Sequence, residues 1–122
     1  MTKGENMDSM VYFIQCGSSK GPIKVGVSND IDKRIETLQI GCPWRLKLIA
    51  KIKPNSDNHA YYLEGQLHNK FKRHHMRGEW FKSKIILNLI DIFGVEWVDN
   101  EAYAMAAIPG RFKDVHRGKG RN

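Results

Sequence analysis

Alternating hydrophobic and polar positions predict three strands in the first half of the chain. Residues 10–15 are rich in β-branched and aromatic side chains, and residues 23–27 alternate apolar with other side chains. The connection between them, 16–22, holds two glycines and a proline, so we predict a loop that pairs the two strands antiparallel. A third strand is predicted over 44–53. The positions of that strand predicted to face inward are Leu46, Leu48, Ala50 and Ile52.

Apolar residues at helical spacing predict the remaining elements. A first helix is predicted between a cap at Ser28 or Asn29 and Gly41, and a second helix over 59–71. Their apolar stripes are Ile31, Ile35 and Leu38 in the first, and Ala60, Leu63, Leu67 and Phe71 in the second. Residues 74–81 are predicted to be a loop that leads to an aromatic pair. The last predicted elements are a helix over 83–93, an extended piece over 94–98 and a terminal helix over Asn100–Ala107.

This order predicts an α+β fold, with a small three-stranded antiparallel sheet flanked by helices. We expect one domain over 10–98, a flexible leader over 1–9, and an extension over 99–122 that ends in a basic, disordered tail. The longest apolar run is too short to span a bilayer, and the first residues lack the apolar core of a signal peptide. Cys16 and Cys42 form no CxxC pair and are expected to be free thiols. These features predict a soluble protein of the cytoplasm.

The charge balance indicates a polyanionic partner. The net charge is +7, and the segment from residue 111 to the end carries five basic residues against one acid. An excess of this kind favours nucleic acid, although basic tails also serve solubility. The residues expected to contact phosphates are Arg73, His74, His75 and Arg77 in a basic loop, and Arg111, Lys113 and Arg117 in the tail. A solvated surface is the alternative for the loop.

Arg34 is the first candidate for chemistry. It follows Ile31 by three residues and precedes Leu38 by four, so it borders the buried stripe of its helix. A guanidinium there needs an anionic partner. That partner is either a carboxylate, Glu36 or Glu64, or a bound phosphate.

A second candidate lies on the next helix, where Glu64 and His68 are one turn apart. A carboxylate beside an imidazole can serve a metal ion or a proton relay, and an exposed helix-surface pair is the alternative. The histidines of this region have no accompanying cysteine pair, so we predict no structural zinc site. We predict that Trp80 and Phe81 anchor the core, with base stacking as the alternative. We predict that Glu79 makes a structural hydrogen bond, with metal binding as the alternative.

Taken in order, these residues resemble the GIY-YIG nuclease superfamily. VYF at 11–13 and KVG at 24–26 are similar to the two halves of its signature, and Arg34 and Glu64 follow on successive helices. The downstream stretches LEGQLHNKF and RGEWF resemble a phage-associated branch in which the second motif often reads KIG. The resemblance covers residues 10–82.

The resemblance implies cleavage of DNA phosphodiester bonds with one divalent cation, Mg²⁺ or Mn²⁺, in a bacterial or phage-infected cell. It implies Tyr12 as the general base, Arg34 on the scissile phosphate, Glu64 as the metal ligand, and His68 near the substrate or the outer sphere of the metal. The chain departs from the family in carrying Lys24 where the second motif has tyrosine. We expect the Lys24 ammonium to lower the pKa of Tyr12, because a nearby cation favours the phenolate.

Two alternatives stay open. One is a nucleic-acid-binding module on the same fold that does not cleave, and the absence of the second tyrosine gives it weight. The other is a basic structural protein, which would leave Arg34 and Glu64 unexplained. Cutting both strands of a duplex from one single-metal site would need a homodimer or successive nicks.

Overall fold

A computed structural model of the chain describes residues 8–107. Six strands of this part form a single sheet, and every neighbouring pair is antiparallel. The strands are β1 (Met10–Cys16), β2 (Ile23–Ser28), β3 (Leu46–Ile52), β4 (His75–Arg77), β5 (Trp80–Phe81) and β6 (Val95–Trp97), and the helices are α1 (Ile31–Ile40), α2 (Asp57–Lys70), α3 (Ile86–Leu89) and α4 (Asn100–Ala107). The strand order across the sheet is β4-β5-β2-β1-β3-β6.

The predicted three-stranded sheet is wrong. The three predicted strands form the centre, but β5 and β4 extend the sheet beyond β2, and β6 extends it beyond β3. Residues predicted to be a loop, 74–81, contain β4 and β5, which turn at Gly78 with a φ of +55°. Strands of two or three residues are too short to show alternation in sequence. Hydrogen bonds to an existing sheet edge define them instead.

A β-bulge in β3 divides its apolar residues between the two faces of the sheet. Phe13 pairs with Ala50 whereas Ile14 pairs with Leu48, so Ile49 is an extra residue in the ladder. Leu48 consequently packs on the α1 side of the sheet, and Ala50 packs on the opposite side. The prediction that one face of this strand carries all four inward residues is therefore wrong.

Each face of the sheet has its own hydrophobic cluster. The larger cluster packs α2, α3 and α4 against one face, and it contains the predicted α2 stripe with Ala60, Leu67 and Phe71 buried. The smaller cluster packs the α1 stripe against the opposite face, where it covers Tyr12 and Ile14. This division follows from the strand period of two, because Tyr12 and Ile14 face away from Val11 and Phe13.

The C-terminal part of the described chain differs from the prediction in one helix. In place of a helix over 83–93 there is a 3₁₀ turn, Ser83–Ile85, followed by the single turn of α3. Phe93 is 97% exposed, so no core contact supports a longer helix, and Gly94 reverses the chain with a φ of +86°. The predicted extended piece and terminal helix are present as β6 and α4.

The core reaches past both expected boundaries of the domain. Ser9 is buried, and its backbone N–H donates to Asp57 Oδ1 at 2.9 Å. Ala102 in α4 belongs to the larger cluster. The rest of the expected leader, 1–7, and the expected basic tail from residue 108 onward lie outside the described residues.

Two further expectations concern the thiols and the membrane. Cys16 and Cys42 are free thiols whose sulfur atoms lie 3.7 Å apart. No helix within residues 8–107 has the length and apolar character needed to cross a bilayer.

Candidate active site around Gly26

The phenol of Tyr12 lies directly over Gly26 of the neighbouring strand. The two residues are paired across β1 and β2, and Tyr12 has no exposed surface. A Cβ at position 26 would lie 2.6 Å from Tyr12 Cζ, well inside the separation of ordinary carbon contacts. Glycine is therefore the residue that lets the phenol cross the strand.

The Tyr12 hydroxyl is buried and forms no hydrogen bond of standard geometry within residues 8–107, although the Arg34 guanidinium lies near it. Burial raises the pKa of this phenol and the charge of Glu79 raises it further, whereas Arg34 lowers it through its charge and its proximity as a hydrogen-bond donor. Burial dominates because it removes water from the phenolate. An unpartnered polar atom in a buried position costs free energy, so this hydroxyl is a candidate for contact with a ligand.

Lys24 shares the Tyr12 face of the sheet, because its partner in β1 is Ile14. Its ammonium, however, pairs with Glu79: Lys24 Nζ lies 3.0 Å from Glu79 Oε1 and 5.6 Å from the centroid of the Trp80 ring. The pKa of Tyr12 is raised, and the cation that lowers it is Arg34. The expectation that Lys24 lowers the pKa of Tyr12 is therefore wrong for the protein alone.

Arg34 reaches this site from α1. The N-cap of this helix is Asp30, one position after the predicted cap. Its Oδ1 accepts the Lys33 N–H at 3.2 Å. Arg34 is exposed, and among the described residues it forms no ion pair with Glu36 or Glu64. Its guanidinium is thus close enough to lower the pKa of Tyr12 and is still accessible to an anion.

Glu64 and His68 approach from the opposite side on α2. His68 Nε2 lies 2.8 Å from the Val25 carbonyl oxygen and 3.8 Å from Glu64 Oε2. A carbonyl oxygen only accepts hydrogen bonds, so Nε2 carries the proton and donates it to Val25. The His68 ring also packs edge-on against Phe81, with centroids 4.9 Å apart. His68 therefore anchors the Glu64 turn of α2 to strand β2.

Glu79 completes the cluster, although the sequence favoured a structural hydrogen bond for it over metal binding. It sits in the turn between β4 and β5, and its backbone oxygen accepts the Val25 N–H at 3.0 Å. Burial raises the pKa of Glu64, and Glu79 raises it further through its charge and through a hydrogen bond between the two carboxyl groups. His68 and Lys24 act in the opposite direction. The sequence signal was an acid directly before the partly buried Trp80 and the buried Phe81.

The two adjacent carboxylates suit a hard divalent cation. Like charges held this close are unfavourable, and a cation between them would remove the repulsion. Within residues 8–107, no group of three or more His, Cys, Asp or Glu side chains is arranged to hold a metal ion. A site with so few protein ligands suits Mg²⁺ or Mn²⁺, which keep waters and accept phosphate oxygens.

The basic segment of the sequence prediction lies at the outer edge of the sheet and leads into the turn that carries Glu79. Arg73 and His74 belong to a 3₁₀ turn, and His75 and Arg77 belong to edge strand β4, which β5 separates from β2. His75 Nε2 lies 2.8 Å from the Gly78 carbonyl oxygen. The other predicted contacts, Arg111, Lys113 and Arg117, lie outside the described residues.

Comparison with known protein families gives a match. The family described as the T5orf172 domain matches residues 9–101, which include the six strands described above and all residues of the cluster around Gly26. No curated protein and no solved structure matches the chain.

Proposed function

We propose that this chain, which belongs to the T5orf172 domain family, is a metal-dependent DNA endonuclease of the GIY-YIG type. T5orf172 domains occur in phage-associated and endonuclease-like proteins, which is compatible with a nuclease or a nucleic-acid-binding protein. The observation that carries the proposal is the meeting of Tyr12, Lys24 and Glu64 around Gly26. These residues come from separate elements and follow the order of the GIY-YIG signature.

Glu64 is the proposed ligand of one Mg²⁺ or Mn²⁺ ion. Its side chain is 17% exposed, so it faces solvent at one side and the sheet at the other. When bound, such an ion supplies Lewis-acid polarisation of a phosphate oxygen and makes nearby water more acidic. His68 donates a hydrogen bond to the Val25 carbonyl and lies 3.8 Å from Glu64 Oε2, so it positions Glu64 against β2.

Tyr12 is the proposed general base. The raised pKa keeps its phenol neutral near pH 7 in the protein alone, so the hydroxyl must lose its proton before it can accept one from water. The cationic charge of Arg34 favours that ionisation. Arg34 is exposed, and its fork of donors suits the non-bridging oxygens of the scissile phosphate, where negative charge grows in the transition state.

The test is cleavage of supercoiled plasmid in the presence of Mg²⁺ or Mn²⁺. We expect the wild-type chain to produce nicked or linear plasmid, and Glu64→Ala to lose this activity while DNA binding stays within about twofold. Glu96→Ala is the matched control, because Glu96 is an exposed acid on β6, three strands away from β2. Equal cleavage by Glu64→Ala and wild type would remove Glu64 from the reaction.

The second candidate function is a nucleic-acid-binding module without cleavage. Lys24 favours it, because an ammonium paired with Glu79 replaces the tyrosine of the second motif. Tight binding of DNA or RNA with no cleavage of either under any divalent cation would support this candidate. The slope of the logarithm of the binding constant against the logarithm of the salt concentration would then give the number of phosphate contacts.

A further inference from the structure

We propose that Glu79 is the second protein carboxylate of the cation site and holds one Mg²⁺ or Mn²⁺ ion together with Glu64. The inference rests on the proposed function and adds a ligand to it. Glu79 is not one of the residues, such as Tyr12, Arg34 and Glu64, to which the family resemblance assigns a role.

The backbone places the Glu79 carboxylate beside Gly26. The backbone carbonyl oxygen of Glu79 accepts the Val25 N–H at 3.0 Å, and this hydrogen bond holds the β4–β5 turn against β2. Its Oε1 lies 3.0 Å from the position that a Cβ of Gly26 would occupy. The side chain is 41% exposed, so an ion can reach it from solvent.

Glu64 approaches the same part of β2 from the helix. The His68 imidazole contacts both the Val25 carbonyl, at 2.8 Å, and Glu64 Oε2, at 3.8 Å. Val25 thus receives Glu79 on its N–H and the Glu64–His68 pair on its carbonyl. The two carboxylates are therefore held by two separate elements, α2 and the β4–β5 turn, and both elements contact the same residue of β2, Val25.

Tyr12 gives an independent indication that a ligand belongs here. Its hydroxyl is fully buried and forms no hydrogen bond of standard geometry among the described residues, although Arg34 lies near it. It lies over Gly26, where Glu79 Oε1 also lies. A buried hydroxyl without a partner is rare in folded proteins. A hydrated cation between the two carboxylates would bring a water within reach of this hydroxyl.

Lys24 supplies one positive charge to the two carboxylates. Its ammonium pairs with Glu79 Oε1 at 3.0 Å, and its charge also acts on Glu64. One positive charge faces two carboxylates, so a divalent cation matches the charge of the pair better than the ammonium alone. Lys24 then competes with the cation for Glu79.

The experiment is a titration of Mn²⁺ followed by electron paramagnetic resonance, with the full-length protein and without DNA. We expect Glu79→Gln and Glu64→Gln each to raise the Kd for Mn²⁺ about tenfold or more, since affinity depends on the number of charged oxygen ligands. Glu96→Gln is the control and should bind as wild type. Lys24→Met should bind Mn²⁺ at least as tightly as wild type, because a competing charge is removed. Urea unfolding of each variant identifies any that does not fold.

The outcomes separate this inference from the proposed function. If Glu64→Gln weakens Mn²⁺ binding and Glu79→Gln does not, Glu79 is no ligand, while the proposed function stands. If neither variant changes the Kd, the metal assignment of Glu64 fails as well. If Glu79 only holds Lys24 in place, Glu79→Gln and Lys24→Met will lower cleavage alike and leave Mn²⁺ affinity unchanged, which would overturn the inference.

Discussion

Replacing Gly26 by alanine tests the close approach of Tyr12 to β2. The new Cβ would lie 2.6 Å from Tyr12 Cζ and 3.0 Å from Glu79 Oε1. Carbon atoms in favourable contact are about 3.5–4.0 Å apart, so the phenol would have to retreat by about 1 Å. Tyr12 is fully buried and its strand is paired on both sides, so neither the side chain nor the backbone has room to move.

The expected loss of stability follows from these contacts. Overpacking of a core costs about 1–3 kcal/mol, and replacing glycine returns about 0.4–1 kcal/mol through the entropy of the unfolded chain. The net destabilisation is therefore about 1.3 kcal/mol at the middle of these ranges, and about 2.6 kcal/mol at most. For a domain of this size, each kcal/mol lowers the Tm by about 4–8 °C.

The assay compares two glycine-to-alanine variants by urea unfolding and by plasmid cleavage. Gly65 in α2 is the control, because a Cβ there meets nothing within 4 Å. Gly65→Ala should stabilise the protein by about 0.5–1 kcal/mol and keep its activity, since alanine is the better residue inside a helix. Gly26→Ala should be less stable than wild type and lose most of its cleavage. A Gly26→Ala protein with wild-type stability and cleavage would refute the close approach.

Two further predictions concern the support of the site and the C-terminal helix. Phe81→Ala should lower the free energy of unfolding by about 3–5 kcal/mol in urea titrations, because Phe81 is 1% exposed and packs against the His68 ring; a loss below about 1 kcal/mol would contradict this. The pKa of Asp99 is lowered: burial raises it, but Lys47 at 2.9 Å and the N–H groups of α4 outweigh burial. A lowered pKa in the folded state means that Asp99 contributes stability above the pKa of the unfolded carboxyl and loses it as the pH falls through the folded pKa. The Tm of Asp99→Asn should therefore be below that of wild type at pH 7 and converge on it as the pH falls below 3.8, the ordinary pKa of this carboxyl, and a difference independent of pH would contradict the assignment.

The central part of the fold could be predicted from the sequence alone. Strands β1 and β2, helix α2 and its buried stripe have runs long enough for periodicity to reveal them. The same patterns placed Arg34 beside the core of α1, and Glu64 one turn before His68. These features depend on residues that are close in the sequence, so the spacing of apolar and polar residues along the chain predicts them.

The bulge in β3 and strands β4 and β5 could not be predicted in this way. The extra residue Ile49 arises from the pairing of β3 with β1, a contact between distant parts of the chain. β4 and β5 contain three and two residues, and their hydrogen bonds with each other and with β2 define them. β6 was predicted as an extended piece, but its pairing with β3 was not.

The amino-acid sequence by itself determined which residues were available for chemistry: a tyrosine, a lysine and a glycine on two paired strands, and an acid on a helix. Only the tertiary structure decided their environment. Pairing of β5 with β2 brings Glu79 to Lys24 and to Gly26, more than fifty residues away along the chain. Burial then raises the pKa of Tyr12, although the sequence suggested a lowered one. The reason is physical: spacing along a chain reports local geometry, whereas desolvation and charge pairing depend on every element that packs around a group.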